Sequence, residues 1–233
     1  MGTRTGFDED ATRDRPDLGR KSALRDYAET LLICVIFILF ARAFIIQQSE
    51  IPSESMEDTL LVGDYILVNR FLYAPAATRL ERLLLPLRQV QRGEVIVFKH
   101  PETPERDYIK RVIGLPGDTL EIRQGRPWID GQPLDEPYIS DLYRTDDWLG
   151  PIEVPAGEYF VMGDHRNQSF DSRAWGMVPE HLIRGRAFLI LLSTNAPPGE
   201  TDDPAKVTLR SLPRRLFNLI FRARWDRALR PIG

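Results

Sequence analysis

The chain has 233 residues, a formal net charge of −3 and 42% hydrophobic residues, which suits one domain of ordinary size with appendages. This charge balance gives no basic footprint for nucleic acid, and the single Cys34 excludes an intramolecular disulfide and a cysteine-based metal site. Three scattered histidines make no zinc pattern, and no P-loop or dinucleotide-binding glycine motif occurs, so we expect no cofactor.

The N-terminal part divides into two stretches of opposite composition. Residues 1–26 are polar, mixed in charge and without apolar periodicity, which predicts a flexible tail. Residues 27–47 contain an unbroken apolar run from Leu31 to Ala41, followed by Arg42. Because an arginine near a helix end can snorkel towards lipid headgroups, the whole segment is long enough to cross a bilayer. We therefore predict a transmembrane anchor at residues 27–47.

The charges that flank this segment predict its orientation. Three basic residues precede it, namely Arg20, Lys21 and Arg25, and no lysine or arginine lies between Arg42 and Arg70. The positive-inside rule places the N-terminus in the cytoplasm and the rest of the chain on the periplasmic face. A removed signal peptide is the rival interpretation, because the small residues Ala41 and Ala43 resemble a cleavage site. The arginine between them and the apolar residues that follow favour an uncleaved, single-pass anchor.

The middle of the chain has the pattern of short strands joined by turns. Runs of strand-forming residues bounded by glycine and proline predict a mainly β body with little helix. The predicted strands are residues 65–71, 93–100, 107–115, 119–123, 127–129, 157–162 and 186–193. Turns are expected at 116–118, 124–125 and 130–131, and the polar residues 135–155 are expected to form a loop.

Arginines alternate with apolar residues in the last stretch, which predicts a basic amphipathic segment over residues 201–233. Such a segment can bind a membrane surface. It can equally form an ordinary helix that packs on the body with its arginines in solvent. Both interpretations stay open at this stage.

Two serines and a lysine are the first candidates for chemistry. Ser53 and Ser55 lie two apart, so in an extended chain their side chains point to the same side. One hydroxyl could attack a carbonyl while the other stabilises the oxygen that becomes negative. Lys110 lies in a strand-like run, and burial beside Ser55 would lower the pKa of its amine from about 10.4 towards neutrality. A neutral amine can take the proton of a serine hydroxyl.

A polar, turn-rich stretch at residues 163–176 supplies the supporting candidates. Asp171 and Arg173 can pair and hold this loop rigid. Ser169 can then donate a hydrogen bond to the amine of Lys110 and orient it. Taken singly, each feature has a plainer explanation, because loop serines are usually turn formers and strand lysines are usually solvated.

Taken together and in order, these stretches resemble bacterial type I signal peptidase, the membrane-bound serine–lysine leader peptidase. Residues 51–56 (Ile-Pro-Ser-Glu-Ser-Met) resemble its nucleophile motif and residues 63–69 the strand that follows. Residues 107–118 resemble its lysine motif, and residues 163–176 resemble its signature loop. The resemblance covers residues 50–195.

The resemblance implies a fold and an activity. The implied fold is mainly β: an antiparallel β-sheet catalytic core over residues 48–118 and 155–200, with a small inserted β domain at 119–154, preceded by one N-terminal transmembrane helix. The implied activity is that of a serine endopeptidase that removes signal peptides from exported preproteins after Ala-X-Ala-type sites. Its expected surroundings are the lipid bilayer and, nearby, the protein-export translocon.

The resemblance also implies a role for each site residue. Ser55 would be the nucleophile and Lys110 the neutral general base, and the Ser53 hydroxyl and the Ser55 backbone N–H would form the oxyanion hole. Ser169 would orient Lys110, and Asp171 with Arg173 would brace the site. Shallow pockets for small substrate side chains would be lined by Ile51, Met56, Leu60, Tyr108 and Ile109.

Four positions depart from the family pattern. Asp58 stands where proline is usual, which is expected to loosen the turn after the nucleophile. In the signature loop, the commoner Asn, Asp and Asn are replaced by His165, Asn167 and Gln168. These departures leave an alternative open: a catalytically silent, membrane-anchored peptide-binding or assembly module of the same fold.

Overall fold

The computed structural model describes residues 23–44, 46–73, 87–195 and 221–233. The chain divides into two compact units, Met1–Ala41 and Arg42–Gly233. Helix α1, Ala23–Phe44, begins within the predicted tail, whose first 22 residues lie outside the described ranges. Along this helix the large apolar side chains between Leu31 and Phe40 are exposed. Within the described ranges, no helix combines the length and the apolar character needed to cross a membrane.

An antiparallel sheet of eight strands dominates the described part of the second unit. Its order is β1-β2-β11-β3-β4-β9-β10, with β12 paired to β11. Its strands are β1 Ile46–Glu50, β2 Asp64–Asn69, β3 Val95–Lys99, β4 Asp107–Gly114, β9 Glu158–Met162, β10 Val178–Pro179, β11 Ile183–Ser193 and β12 Arg230–Pro231.

Strand β3 shows why this sheet is buried on both faces. Side chains of a strand alternate between its faces. Val95 and Val97 pack in one apolar cluster, with Met56 among its members, whereas Ile96 and Phe98 pack in another with Val112. Its unbroken apolar sequence therefore fits a central strand with a core on each side.

A second antiparallel sheet of four strands forms within residues 119–153. Its order is β7-β6-β5-β8, and its strands are β5 Thr119–Arg123, β6 Arg126–Ile129, β7 Gln132–Pro133 and β8 Leu149–Glu153. The predicted turn between β5 and β6 has positive φ at both Gln124 (50°) and Gly125 (71°), as two-residue hairpins favour. This sheet lies in the segment predicted as an inserted β domain, and its status as a domain stays a prediction.

One loop prediction and the end of the predicted anchor are wrong, because pairing with a neighbouring strand decides the conformation of both segments. Residues 149–153, predicted as loop, form β8, in which Ile152 pairs with Leu120 of β5. Residues 46 and 47, predicted as the end of the anchor, begin β1, where Ile46 pairs with Asn69 of β2. The sequence of β1, Ile-Gln-Gln-Ser-Glu, has little strand propensity of its own, so its conformation comes from the neighbouring strand.

The described end of the chain, residues 221–233, does not form a long helix, and only some of its arginines face solvent. It forms a short 3₁₀ turn at Trp225–Arg227 and then β12. Arg227 is buried, and its guanidinium pairs with the buried carboxylate of Asp64 at 2.6 Å. In residues 221–233 the interpretation as an ordinary helix is wrong, because the segment forms a 3₁₀ turn and a strand. Binding of a membrane surface stays a prediction. Residues 201–220 lie outside the described ranges.

Candidate active site

Ser55 lies on a 3₁₀ turn, Glu54–Met56, between β1 and β2. Ser53 precedes this turn with extended backbone, so the premise that both serines share one extended segment is wrong. The apolar residues on either side of Ser55 hold the turn in place, because Ile51 and Met56 are both buried in the first apolar cluster. We call residues 54–56 the Ser55 turn.

Lys110 reaches Ser55 from strand β4. Its Nζ lies 2.5 Å from the Ser55 Oγ, and the lysine is only 3% exposed. Burial lowers the pKa of Lys110 from 10.5 to about 8, because the charged ammonium loses its hydration. The carboxylates of Asp171 and Asp164 oppose this shift. An amine with such a pKa is partly neutral near pH 7 and can accept a proton from the hydroxyl.

Asp171 and Arg173 form the ion pair that the sequence predicts. Arg173 Nε donates to Asp171 Oδ1 at 2.8 Å, and Nη2 donates to Oδ2 at 2.9 Å. Asp171 also caps the short helix α2, Ser172–Trp175, and accepts the N–H of Gly163 at 3.0 Å. Although burial opposes ionisation of Asp171, its bonds to Arg173 lower the pKa of this carboxyl. The pair thus fixes the signature loop near the lysine.

Ser169 is differently placed from the expectation. Its Oγ is buried and makes no hydrogen bond to any described residue, so the expected bond to Lys110 is not formed. The hydroxyl is still close enough to Asp171 to help to lower the pKa of that carboxyl. A Cβ added to Gly163 would lie 2.2 Å from Ser169 Oγ and 2.3 Å from the Ser55 carbonyl oxygen. The signature loop therefore touches the Ser55 turn directly.

The five predicted pocket residues separate into two groups. Ile51, Met56 and Leu60 are buried in the apolar cluster that contains Val95 and Val97, so they contribute to the core, and their role in lining a substrate pocket stays a prediction. Tyr108 and Ile109 on β4 are half-buried. They are the two members of the set with surface to offer a ligand.

The sequence did not predict the buried ion pair between Arg111, the neighbour of Lys110, and Asp164. Arg111 is 1% exposed and forms a two-pronged ion pair with Asp164, at 2.9 Å through Nε and 2.7 Å through Nη2. Thr59 completes the group, accepting from Arg111 at 3.0 Å and donating to Asp164 at 2.5 Å. Arg111 and Asp164 each lie in a quoted motif, but their contact across 53 residues of sequence gave no signal.

The expectation for Asp58 is also wrong. Its φ is +92°, a conformation closed to proline, so the usual family residue would not fit this backbone. Its Oδ2 accepts the backbone N–H of Ser140 at 2.6 Å, which ties the turn instead of loosening it. Of the other departures, Asn167 and Gln168 are exposed, whereas His165 is buried against the Ser55 turn.

Comparison with known proteins gives consistent matches to one family. A family model described as signal peptidase, peptidase S26, matches residues 24–192. Signal peptidase I of Pseudomonas aeruginosa is 34% identical over 215 residues, covering 76% of this chain and 75% of that protein. Signal peptidase I of Aquifex aeolicus is 32% identical, covering 75% and 86%.

A solved structure adds a further sequence match. A crystal structure of a signal peptidase I from Enterococcus faecalis V583 is 35% identical, and the match covers 42% of this chain and 97% of that one. Its TM-score is 0.38, so it carries no argument about the fold.

Proposed function

The chain belongs to the signal peptidase family, peptidase S26, and we propose that this peptidase removes signal peptides with Ser55 as nucleophile and Lys110 as general base. One observation carries the proposal: the 2.5 Å approach of the Lys110 amine to the Ser55 hydroxyl inside the protein. A nucleophile and its base must lie within hydrogen-bond reach. Arginine at position 110 could not serve, because a guanidinium does not lose its proton in proteins.

The proposed reaction has two halves. As Ser55 Oγ attacks the scissile carbonyl carbon, neutral Lys110 accepts the hydroxyl proton, and the resulting ammonium gives a proton to the leaving amine. The C–N bond breaks and an ester to Ser55 remains. Water then attacks the ester carbon and gives a proton to the Lys110 amine. The ester C–O bond breaks, the Lys110 ammonium returns that proton to Ser55 Oγ, and the new carboxylic acid leaves and ionises to a carboxylate.

The oxyanion of each half-reaction needs donors, which we assign to the Ser55 backbone N–H and the Ser53 hydroxyl. In support, the Ser53 side chain does not cap the Ser55 turn, so its hydroxyl is not engaged in that bond. Loss of one oxyanion-hole donor costs roughly 10²–10³ in kcat in a comparable hydrolase. We expect Ser53→Ala to lower kcat by about this factor and to change KM little.

We also propose that the substrate is extended and carries small residues, as Ala-X-Ala, before the cleaved bond. The half-buried Tyr108 and Ile109 on β4 support this assignment, because part of their surface is open to contact with a bound peptide. An extended peptide can bind by adding to a strand. A synthetic peptide with alanine before the cleaved bond should be cut, and the same peptide with phenylalanine there should not.

The membrane anchor remains a proposal with its own test. The exposed apolar side chains between Leu31 and Phe40 support an anchor within helix α1, with a cytoplasmic N-terminus. Protein made in bacterial cells should stay with the membrane at alkaline pH. In a separate experiment on intact spheroplasts, protease added outside should digest the β-sheet part of the protein and leave the N-terminus protected. Release at alkaline pH would contradict the anchor.

The function is tested by cleavage of a preprotein in detergent. Wild type should cleave, whereas Ser55→Ala and Lys110→Met should lose at least 10³-fold in kcat, since members of a catalytic unit each account for most of the rate. Methionine keeps the buried volume of the lysine stem. The matched control is Lys99→Met, which removes a more exposed lysine that pairs with Asp107 and should retain activity. Peptide binding without turnover by wild type would favour the silent binding module.

A further inference from the structure

Residues 140–143, which contribute nothing to the proposed chemistry, are linked to the Ser55 turn through two other residues, Asp58 and His165. Two further 3₁₀ turns belong to this region, Asp141–Tyr143 and Arg166–Gln168. The turn at Arg166–Gln168 packs against both of the others, so it lies between them. The residue that immediately precedes it is His165, one of the departures from the family pattern.

His165 makes three contacts with the Ser55 turn and its C-terminal neighbour. Its backbone N–H donates to the Ser55 carbonyl oxygen at 3.3 Å. Its Nδ1 lies 3.1 Å from the Glu54 carbonyl oxygen and 3.3 Å from Glu57 Oε2. Because both partners only accept hydrogen bonds, Nδ1 must carry the hydrogen. That nitrogen is therefore committed to the turn and not to the Ser55 hydroxyl.

The imidazole is also held from its other side. The ring centroid of Tyr143 lies 4.2 Å from that of His165. Three residues earlier, the Ser140 N–H donates to the carboxylate of Asp58, which follows the Ser55 turn. Residues 140–143 thus reach both ends of the turn: its start through His165 and its end through Asp58.

We propose that His165 and Asp58 are positioning residues, which hold the Ser55 turn against residues 140–143 so that the hydroxyl meets the Lys110 amine. This inference rests on the proposed function, whose nucleophile it orients. Neither side chain needs to touch the substrate, since both act through the backbone of the turn. A displacement of about 1 Å in a reacting group can cost on the order of 10²-fold in rate, so weak contacts here affect catalysis more than they affect stability.

The test compares variants that keep or remove each hydrogen bond without emptying the site. His165→Asn keeps a donor at the position of Nδ1, whereas His165→Phe keeps a ring against Tyr143 and removes the donor. Asp58→Asn keeps an acceptor and tolerates a positive φ, whereas Asp58→Gly accepts that φ and removes the acceptor. Single-turnover rates with excess enzyme separate bond cleavage from binding and release.

We expect His165→Phe to lower the single-turnover rate about tenfold, the effect of one lost hydrogen bond near the reacting group. Asp58→Gly should lower it severalfold, while His165→Asn and Asp58→Asn stay within about twofold of wild type. KM should change little in all four variants. Melting temperatures, measured in parallel, should show every variant folded at the assay temperature.

If His165→Phe and Asp58→Gly cleave as fast as wild type, the positioning role is overturned. The proposed function would still stand. An asparagine variant as slow as the phenylalanine variant would also overturn it, since a retained hydrogen-bond donor would then not preserve the rate. A wild-type protein with no turnover contradicts the proposed function and this role with it. The two failures are therefore distinguishable.

Discussion

Two adjacent cations on β4 show at the scale of single residues how burial sets chemistry. Lys110 and Arg111 are both buried, but the lysine ammonium can lose its proton and become neutral, whereas the arginine guanidinium cannot. Arg111 therefore requires a counter-charge, which Asp164 supplies. Burial acts to lower the pKa of Arg111, but the Asp164 carboxylate outweighs it and raises this pKa. Lys110 has a hydroxyl as its hydrogen-bond partner, and its pKa falls to about 8. One strand thus supplies a permanent charge for the framework and a titratable one for catalysis.

Gly163 is a residue at which an added methyl group should impair catalysis. A Cβ there would lie 2.3 Å from the Ser55 carbonyl oxygen, so the Ser55 turn or the signature loop must move. We expect Gly163→Ala to lower kcat by about 10²-fold, the cost of a misplacement near 1 Å. Cleavage kinetics beside thermal melts measure this effect.

The control for that substitution is Gly117→Ala. Gly117 has φ of +89° but nothing within 4 Å of an added Cβ, so alanine there introduces backbone strain without a clash. This variant should lose some stability and keep its kcat. Equal activity of the two alanine variants would contradict the close contact between the loop and the turn.

At the scale of elements, runs of strand-forming residues bounded by turns identified the strands that have a buried core beside them. Residues 119–123 form β5 as predicted, and β3 and β4 differ from their predictions only at the ends. The pattern failed where the partner strand decides the conformation, as in β1. It also could not find buried ion pairs, because Arg166 and Glu136 lie 30 residues apart and meet only in the fold. Motif order, in contrast, predicted which residues meet at Ser55.

The Arg111–Asp164 pair provides the prediction at this scale. Removing one partner leaves a buried charge uncompensated, and Asp164 is 0% exposed. We expect Asp164→Ala to lower the free energy of unfolding by about 3–5 kcal/mol, as measured by urea denaturation. Asp141→Ala removes a solvent-exposed partner of Arg144 and should change stability little. Similar losses in the two variants would show that the buried pair is not a structural requirement.

At the scale of the whole molecule, residues that are distant in sequence pack in the same core. Asp64, at the start of β2, accepts hydrogen bonds from Ser193 of β11 at 2.5 Å and from Arg227 at 2.6 Å. Ile232 is buried in the same apolar cluster as Met56 of the Ser55 turn. The last described segment is therefore part of the framework beneath the site.

Ile232→Ala tests that arrangement. Ile232 is 4% exposed, so the truncation leaves a cavity and should cost about 2–5 kcal/mol in the free energy of unfolding. Leu229→Ala, three residues earlier and largely exposed, should have little effect. Denaturant titration of both variants measures the difference. An Ile232 variant as stable as wild type would mean that residues 221–233 do not contribute to the core.

The protonation of the Lys110 amine is the central point of the account, and NMR titration of its side chain measures it directly. Because the pKa is lowered, the amine should be mostly charged at pH 7 and mostly neutral at pH 9, so the cleavage rate should rise about tenfold over that interval. The account predicts one lysine that titrates at about 8 and is absent from Lys110→Met, with a rising limb of kcat/KM at the same pH. A Lys110 that titrates near 10.4, like a solvated lysine, would contradict it.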